Sequence, residues 1–320
     1  MEIAKWYNEK KYSLILDSFE QIVLEKNNQN FYILGLVLFE LGYIKEAVKI
    51  LMEILKQNNT EYPFDTSRGI TYLALGFFSM GKYDLAKSNL AIASNMKGEF
   101  SGESKKWDIL LHLSDKEKKF YENDCLRFYF VDDIDALRQK KFMDAYTYKY
   151  QIIIKFFGVI LPKKIDVFVY SSHRDELNGA LSYANPPLGS VHVYIWEECG
   201  HELTHVVCFY LKGRIKSKTK FINEGVAECF NSVKYNNHYM LNKHDIDIFE
   251  IWNNYDSYDR NYSNFIACKF CTKLLEQGGK DNFLKLIYEQ TISKAEEIYG
   301  SLLYDIKNEV EREILLGIDC

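Results

Sequence analysis

The stretch His201-Glu202-Leu203-Thr204-His205 lies in a segment whose apolar residues are spaced as in a helix. Positions four apart on a helix share one face and lie about one turn from each other, so the two imidazoles can converge on a single ion. Glu202 is offset around the helix, where it can reach a metal-bound water without being a ligand itself. The pentapeptide therefore predicts a metal site that still needs a third ligand.

A second stretch, Phe221-Ile222-Asn223-Glu224-Gly225-Val226-Ala227-Glu228, supplies that ligand. Glu224 follows His205 after eighteen residues. Two imidazoles and one carboxylate leave the fourth position of zinc open, as in catalytic zinc sites, whereas a structural site would have closed with four protein ligands. We therefore expect one Zn²⁺ per chain, held by His201, His205 and Glu224.

Together the two stretches resemble the gluzincin metallopeptidases, the group of thermolysin and aminopeptidase N, which pair a His-Glu-x-x-His helix with a downstream Asn-Glu segment. The string Asn223-Glu224-Gly225 and the eighteen-residue gap look like the aminopeptidase branch. The resemblance covers residues 126–320 and implies hydrolysis of peptide bonds in a zincin-like module. Zinc would activate a water and polarise the scissile carbonyl, with Glu202 as the general base.

The same resemblance implies roles for three further residues. Tyr262 opens a segment that looks like the helix after the active site in the aminopeptidase branch, so it is the expected oxyanion donor. Glu228, one turn after Glu224, is expected to accept a hydrogen bond from a ligand imidazole, His201 being the expected donor, and Asn223 is expected to support the ligands as well. The alternatives are a solvated Glu228 and a purely packing role for Tyr262, since the chain has 24 tyrosines.

The resemblance also implies a place for the substrate. The strand that precedes the metal helix, Ser190 to Trp196, would be the edge along which a peptide adds as an extra strand. We therefore expect substrate contacts at Ser190, Val191, His192 and Val193. The Gly-x-Met-Glu-Asn segment with which the aminopeptidase branch holds a free amine does not occur before the metal helix. The expected activity is therefore that of an endopeptidase acting on a peptide or protein.

The first hundred residues have helical periodicity, and they repeat. Small residues recur after 39 positions, with Gly35, Gly42 and Ala47 followed by Ala74, Gly81 and Ala86. Small residues at fixed positions let antiparallel helices approach closely, and a glycine between them ends the first helix. The pattern resembles a tetratricopeptide repeat, whose usual period is about 34 residues. It predicts a helix pair used twice, which could bind a protein partner.

From Arg127 onward strands and helices mix. Arg127–Val131, Ile165–Tyr170 and Ser190–Trp196 are predicted strands, Ile134–Phe157 is a predicted helix ended by Gly158, and helices are expected after Glu197. We expect a multidomain chain with an all-α, helical-hairpin module at residues 1–115, a charged linker at 116–125, and an α+β, zincin-like module at 126–320. Either residues 104–114 or the second module is expected to cap the helical repeats.

Composition excludes several other classes of protein. A hydrophobic fraction of 47% with 27% charged residues is typical of a globular chain. The net charge of -5 gives no basic excess, so nucleic acid is not an expected partner. No uncharged apolar run reaches the ~18–20 residues of a membrane span, and the start lacks the pattern of a secretory signal. We therefore expect a cytoplasmic protein without a membrane partner.

The cysteines are expected to be reduced thiols. They number seven, which is odd, and they lack the spacing of a disulfide framework. Cys199 and Cys208 flank the metal helix, and Cys268 and Cys271 have the spacing of a metal-binding pair, but all four lie in helical, apolar patterns. We expect them to pack as apolar residues.

Two other functions are compatible with these residues. In the first, the helical repeats bind a partner, the zinc module is vestigial or structural, and the chain is an interaction protein. In the second, the same metal site hydrolyses an amide or ester that is not a peptide bond. The presence of all the predicted ligands and of the base disfavours the first function, and no residue of the sequence decides against the second.

Overall fold

Helical hairpins form the first part of the chain. The computed structural model describes residues 2–9, 11–25, 27–56, 66–80, 82–96, 120–161, 164–172, 182–186, 189–197, 200–211, 218–231 and 246–317. Its first helices are α1 (Ile3–Asn8), α2 (Tyr12–Asp17), α3 (Phe19–Glu25), α4 (Asn28–Glu40), α5 (Ile44–Lys56), α6 (Thr66–Ser79) and α7 (Tyr83–Asn95). The predicted cap at 104–114, Gly81 and the nine residues between α5 and α6 lie outside the described residues.

Small residues let these hairpin helices pack closely, as the repeat predicts. A Cβ atom at Gly35 would lie 3.0 Å from Cδ2 of Leu51, and one at Gly76 would lie 2.3 Å from Cγ2 of Val48. Gly42 follows α4 with a positive φ of 83°, a conformation that favours glycine. The repeated alanines are fully buried: Ala47, Ala74 and Ala86. The repeated position Gly35 therefore marks where α5 approaches α4, and Gly76, which is not one of the repeated positions, marks where α5 approaches α6.

One small mixed sheet follows the hairpins. Its strands are β1 (Phe120–Glu122), β2 (Leu126–Phe130), β3 (Ile165–Tyr170), β4 (Tyr183–Asn185) and β5 (Ser190–Tyr194), in the order β1-β2-β3-β5-β4. β2, β3 and β5 are parallel, and the two outer strands are antiparallel to their neighbours. The helix α8 (Ala136–Phe157) connects β2 to β3 and ends at Gly158, where φ is +64°. The predicted strands and this helix are confirmed to within two residues at each end.

The predicted edge position of the strand from Ser190 to Trp196 is wrong. β5 pairs with β3 on one side, and Tyr183, Ala184 and Asn185 of β4 pair with His192, Val191 and Ser190 on the other. Every residue of β5 is buried. A peptide therefore cannot add beside Ser190, Val191 and His192 by main-chain hydrogen bonds unless β4 leaves. The sequence did not reveal β4, because a strand of three residues beside a turn has too short a pattern to recognise.

Four aromatic rings stack across the sheet, one from each of four neighbouring strands. Tyr129, Phe168, His192 and Tyr183 are paired in register, and successive ring centroids lie 4.8, 4.7 and 4.4 Å apart. The Nδ1 atom of His192 lies 3.0 Å from the hydroxyl of Tyr170. Burial lowers the pKa of His192 to about 3, because the charged imidazolium would lose its hydration. The imidazole is therefore neutral and serves the packing of the sheet.

We expect this imidazole to make the folded chain sensitive to acid. The folded pKa lies below the ordinary value of 6.5, so between pH 6.5 and 3 the unfolded chain binds a proton that the folded chain does not. The free energy of unfolding therefore falls as pH falls through that window. Between pH 7 and 5 wild type should lose about 2 kcal/mol more stability than His192→Phe, which cannot be protonated. Urea titrations at both pH values measure this difference, and parallel losses in the two proteins would contradict it.

The remaining described residues are almost entirely helical, as expected after Glu197. The helices are α9 (His201–Phe209), α10 (Lys220–Cys229), α11 (Ile248–Asn253), α12 (Arg260–Gly278), α13 (Lys280–Tyr288), α14 (Ile292–Tyr299) and α15 (Ser301–Leu315), with a short 3-10 turn at Tyr255–Ser257. Two lysines of α12 pair with α15: Lys269 with Glu313 at 2.7 Å, and Lys273 with both Glu309 and Glu313. No helix of the described residues is long and apolar enough to cross a membrane.

The chain divides into two compact units. The first comprises Met1–Asp144 with Leu161–Glu197, and the second comprises Ala145–Ile160 with Glu198–Cys320. The first unit thus contains the hairpins together with the sheet, and the predicted linker at 116–125 lies inside it, residues 116–119 being outside the described part. The second unit contains α9 and α10, the two helices that carry the predicted metal ligands.

Candidate metal centre

Helices α9 and α10 bring the three predicted ligands together. The Nε2 atom of His201 lies 3.1 Å from Nε2 of His205 and 3.2 Å from Oε2 of Glu224. The Nε2 atom of His205 lies 3.6 Å from the other oxygen of the same carboxylate, Oε1, so the three side chains form a triangle. Among the described residues, these three form the one group of His, Cys, Asp and Glu side chains that could hold a metal ion. The sequence spacing had predicted the same three residues.

The triangle has the dimensions of one face of a zinc site. Zinc binds imidazole nitrogen and carboxylate oxygen at about 2.0–2.2 Å in tetrahedral sites, which places neighbouring ligand atoms about 3.3 Å apart. The Oε2 atom of Glu224 is buried, and no described residue gives it a well-aligned hydrogen bond. A buried carboxylate oxygen without such a partner is costly, and a cation would satisfy it. These residues therefore fit a zinc ion.

Glu228 lies where the resemblance implies. Its Oε1 atom is 3.1 Å from Nδ1 of His201, and only 7% of the residue is exposed. Because Nδ1 faces this carboxylate, the lone pair of Nε2 is left to point at the other ligand atoms. Glu228 thus lies next to His201 and not in solvent, so the solvated alternative is wrong.

The charged groups of the site shift one another's pKa values. Burial alone would lower the pKa of His201, but the carboxylates of Glu224 and Glu228 outweigh it and raise that pKa to about 10. Burial would raise the pKa of Glu224, but the two histidines and Arg260 lower it to about 2. Burial and the charge of His201 lower the pKa of His205 to about 4. The His201 imidazolium thus faces the carboxylates of Glu224 and Glu228, and a divalent cation would take the place of a His201 proton.

Two glycines allow the ligand-bearing helices to pack as they do. A Cβ atom at Gly200, the residue before α9, would lie 2.2 Å from the carbonyl oxygen of Phe230, which follows α10, and φ of Gly200 is +150°. A Cβ atom at Gly225 would lie 2.6 Å from the carbonyl oxygen of Ala267 in α12. Any side chain at these positions would push α10 away from its neighbours. Sequence reasoning had not identified the role of either glycine.

Three further predicted residues, Glu202, Asn223 and Tyr262, lie in different surroundings. Glu202 lies in the first turn of α9, close enough for its charge to raise the pKa of His201. Asn223 accepts a hydrogen bond at 3.0 Å from Nε2 of Gln290, a fully buried residue. Tyr262 is buried, and its ring centroid lies 6.4 Å from that of Tyr258. A role for Asn223 in supporting the ligands and the oxyanion role of Tyr262 stay predictions.

Sequence reasoning missed three residues near the ligands. The Tyr255 hydroxyl donates to Oδ1 of Asn264, and Nδ2 of Asn264 donates to Oε1 of Glu228 at 3.4 Å. Arg260 bears a charge that lowers the pKa of Glu224. Tyr255 and Arg260 lie close to Tyr262 in the sequence, so the segment was identified but not these members of it. Only the fold shows which side chains turn toward the ligands.

The cysteines beside the site pack as expected where the structure describes them. Cys208, Cys268 and Cys271 are buried free thiols. Burial raises the pKa of Cys208 to about 12, so its thiol stays protonated and is a poor ligand. Cys199 lies outside the described residues.

Comparison with known proteins adds no relative. No protein-family profile matches the sequence, and neither the curated proteins nor the solved structures contain a significant match. A proposal about function therefore depends on the geometry of the site and on the motifs of the sequence.

Proposed function

We propose that this protein is a zinc-dependent metallopeptidase that acts as an endopeptidase, with a zincin-like fold around the metal. The observation that carries the proposal is the triangle of the His201, His205 and Glu224 side chains, whose ligand atoms approach to 3.1, 3.2 and 3.6 Å. Two imidazoles and one carboxylate leave a coordination position for a water or a substrate, which is the arrangement of catalytic zinc sites. Glu202 beside them adds the base that hydrolysis needs.

Each side chain has a part in the proposed reaction. Zinc, when bound, supplies Lewis acidity toward a carbonyl and makes water a nucleophile near neutral pH. The Glu202 carboxylate takes the proton of the attacking water and returns it to the leaving amine. Negative charge then develops on the former carbonyl oxygen, and the Tyr262 hydroxyl is the proposed donor to it. The positive charge of Arg260, which already lowers the pKa of Glu224, favours the same development of charge.

Digestion of a peptide library tests this proposal. Protein loaded with zinc should cleave a subset of the peptides at internal bonds, which mass spectrometry of the products identifies. A chelator should abolish cleavage, because the nucleophile depends on the metal, and added zinc should restore it. Cleavage that persists after complete removal of the metal would contradict the proposal, as would the release of single residues from peptide ends alone.

A groove in the helical hairpins supports a second candidate function, the binding of a protein partner. The groove has a volume of about 490 Å³ and lies among α3, α4 and α5. Phe19 and Val23 line it, and each is 39% exposed. Apolar side chains left open in a concave surface are typical of interaction sites. In this alternative the hairpins bind a partner and the zinc module is vestigial or structural, so Glu202→Gln should bind that partner as wild type does.

A further inference from the structure

Both carboxylate oxygens of Glu228 receive hydrogen bonds from asparagine side chains. Nδ2 of Asn231 donates to Oε2 at 3.1 Å, and Nδ2 of Asn264 donates to Oε1 at 3.4 Å. Oε1 also lies 3.1 Å from Nδ1 of His201. The two amides come from different places, since Asn231 follows α10 and Asn264 belongs to α12. The carboxylate that faces the ligand His201 is therefore held from two sides.

Glu228 and Tyr255 together set which way the amide of Asn264 points. An asparagine amide has an acceptor oxygen and a donor nitrogen that can exchange places by a half-turn. The Glu228 carboxylate can only accept, so the donor Nδ2 faces it, and Oδ1 of Asn264 accepts from the Tyr255 hydroxyl. Tyr255 and Asn264 are 8% and 7% exposed, so water competes little for these bonds. Tyr255, Asn264 and Glu228 thus form a hydrogen-bonded chain that ends beside His201, whose Nδ1 atom lies 3.1 Å from Oε1 of Glu228.

The hydrogen-bonded chain from Tyr255 leads to only one of the two imidazole ligands, His201. A carboxylate that accepts from the far nitrogen of a ligand histidine fixes its tautomer and ring orientation, and makes the ligand more basic. Glu228 can do so for His201 only while its own oxygens are held in place. Without the Asn264 donor, Oε1 of Glu228 would lose one of the hydrogen bonds that hold it and would be freer to rotate.

We propose that Asn264 and Tyr255 are positioning residues, which act through Glu228 to hold His201 in the orientation that binds zinc. The proposal depends on the proposed zinc site but not on the reaction performed there. It implies that zinc affinity is sensitive to two side chains that do not touch the metal. Changes to such supporting groups typically weaken metal binding by about 10–100-fold.

Zinc affinity in two variants tests the proposal. Asn264→Asp has nearly the same shape but replaces the donor nitrogen by a carboxylate oxygen facing Glu228. Tyr255→Phe removes only the hydroxyl that orients Asn264. Competition with a chromophoric chelator should give dissociation constants for zinc about 10–100-fold above wild type in Asn264→Asp and about 10-fold above it in Tyr255→Phe. The visible absorption of bound Co²⁺, which reports the ligand geometry, should change in both variants.

Tyr299→Phe is the matched control. Tyr299 is a buried tyrosine of the same unit whose hydroxyl has no hydrogen-bond partner among the described residues. Its zinc affinity and Co²⁺ spectrum should equal those of wild type. Circular dichroism identifies any variant that fails to fold, and Tyr255→Phe is conservative enough to decide the question alone.

The outcomes separate this proposal from the proposed function. If wild type binds zinc and both variants match it in affinity and spectrum, Tyr255 and Asn264 only pack the core, and their positioning role is wrong. The role is also wrong if Tyr299→Phe weakens zinc binding as much as Tyr255→Phe does. Wild type that binds no zinc would overturn the proposed function and this inference with it.

Discussion

Glu202→Gln should lower the turnover of a cleaved peptide by about 10²–10⁴-fold, which is the usual contribution of a general acid or base. Glutamine has nearly the same shape, but its amide cannot take a proton from the attacking water. Glu202 is not one of the three converging ligands, so the variant should retain its zinc. Steady-state kinetics on a peptide found by library digestion measures the loss, and elemental analysis of the same samples measures the metal.

Glu276→Gln is the control for this experiment. Glu276 is an exposed carboxylate of α12 in the same unit, so its substitution should leave turnover unchanged. If Glu202→Gln cleaves the peptide at the wild-type rate, then Glu202 is not the base. In that case the interpretation of the chain as a partner-binding protein gains support.

Glu224→Ala should have the second large effect, a loss of metal. It removes one of the three converging side chains and leaves two imidazoles, of which His201 would no longer face the Glu224 carboxylate. Loss of a direct ligand should cost more than loss of a supporting group, so we expect zinc affinity to fall by at least about 100-fold. Chelator competition measures the change, with Glu276→Ala as the control. Unchanged affinity would mean that Glu224 is not a ligand.

The clustering of His201, His205 and Glu224 could be predicted from sequence because its geometry is partly local. His201 and His205 are four residues apart, and any helix that contains them places both side chains on one face, whatever surrounds it. Glu228 lies one turn after Glu224 on α10, so its approach to the ligands follows from the same rule. The hairpin packing was predictable for a similar reason, since the repeated small residues are the positions at which a second helix can approach.

What the sequence did not reveal depends on contacts between distant segments. The edge position of β5 was wrong because β4, a three-residue strand, has too short a pattern to recognise. Tyr255 and Asn264 were missed because the α12 segment contains several tyrosines and polar residues, and only the packing of α12 on α10 selects among them. Gly225 belongs to the Asn-Glu-Gly motif, but the sequence did not show why a glycine is needed there. The structure explains it, because a Cβ atom at Gly225 would lie 2.6 Å from the carbonyl oxygen of Ala267.

Zinc content per chain tests the central claim most directly. Elemental mass spectrometry on wild type and Glu224→Ala, both purified without added metal, gives the stoichiometry independently of any substrate. The account predicts close to one zinc per wild-type chain and a sharp fall in Glu224→Ala. A folded wild-type chain that holds no zinc, even after reconstitution with the metal, would contradict it, and the hairpin groove would then be the place to seek the function.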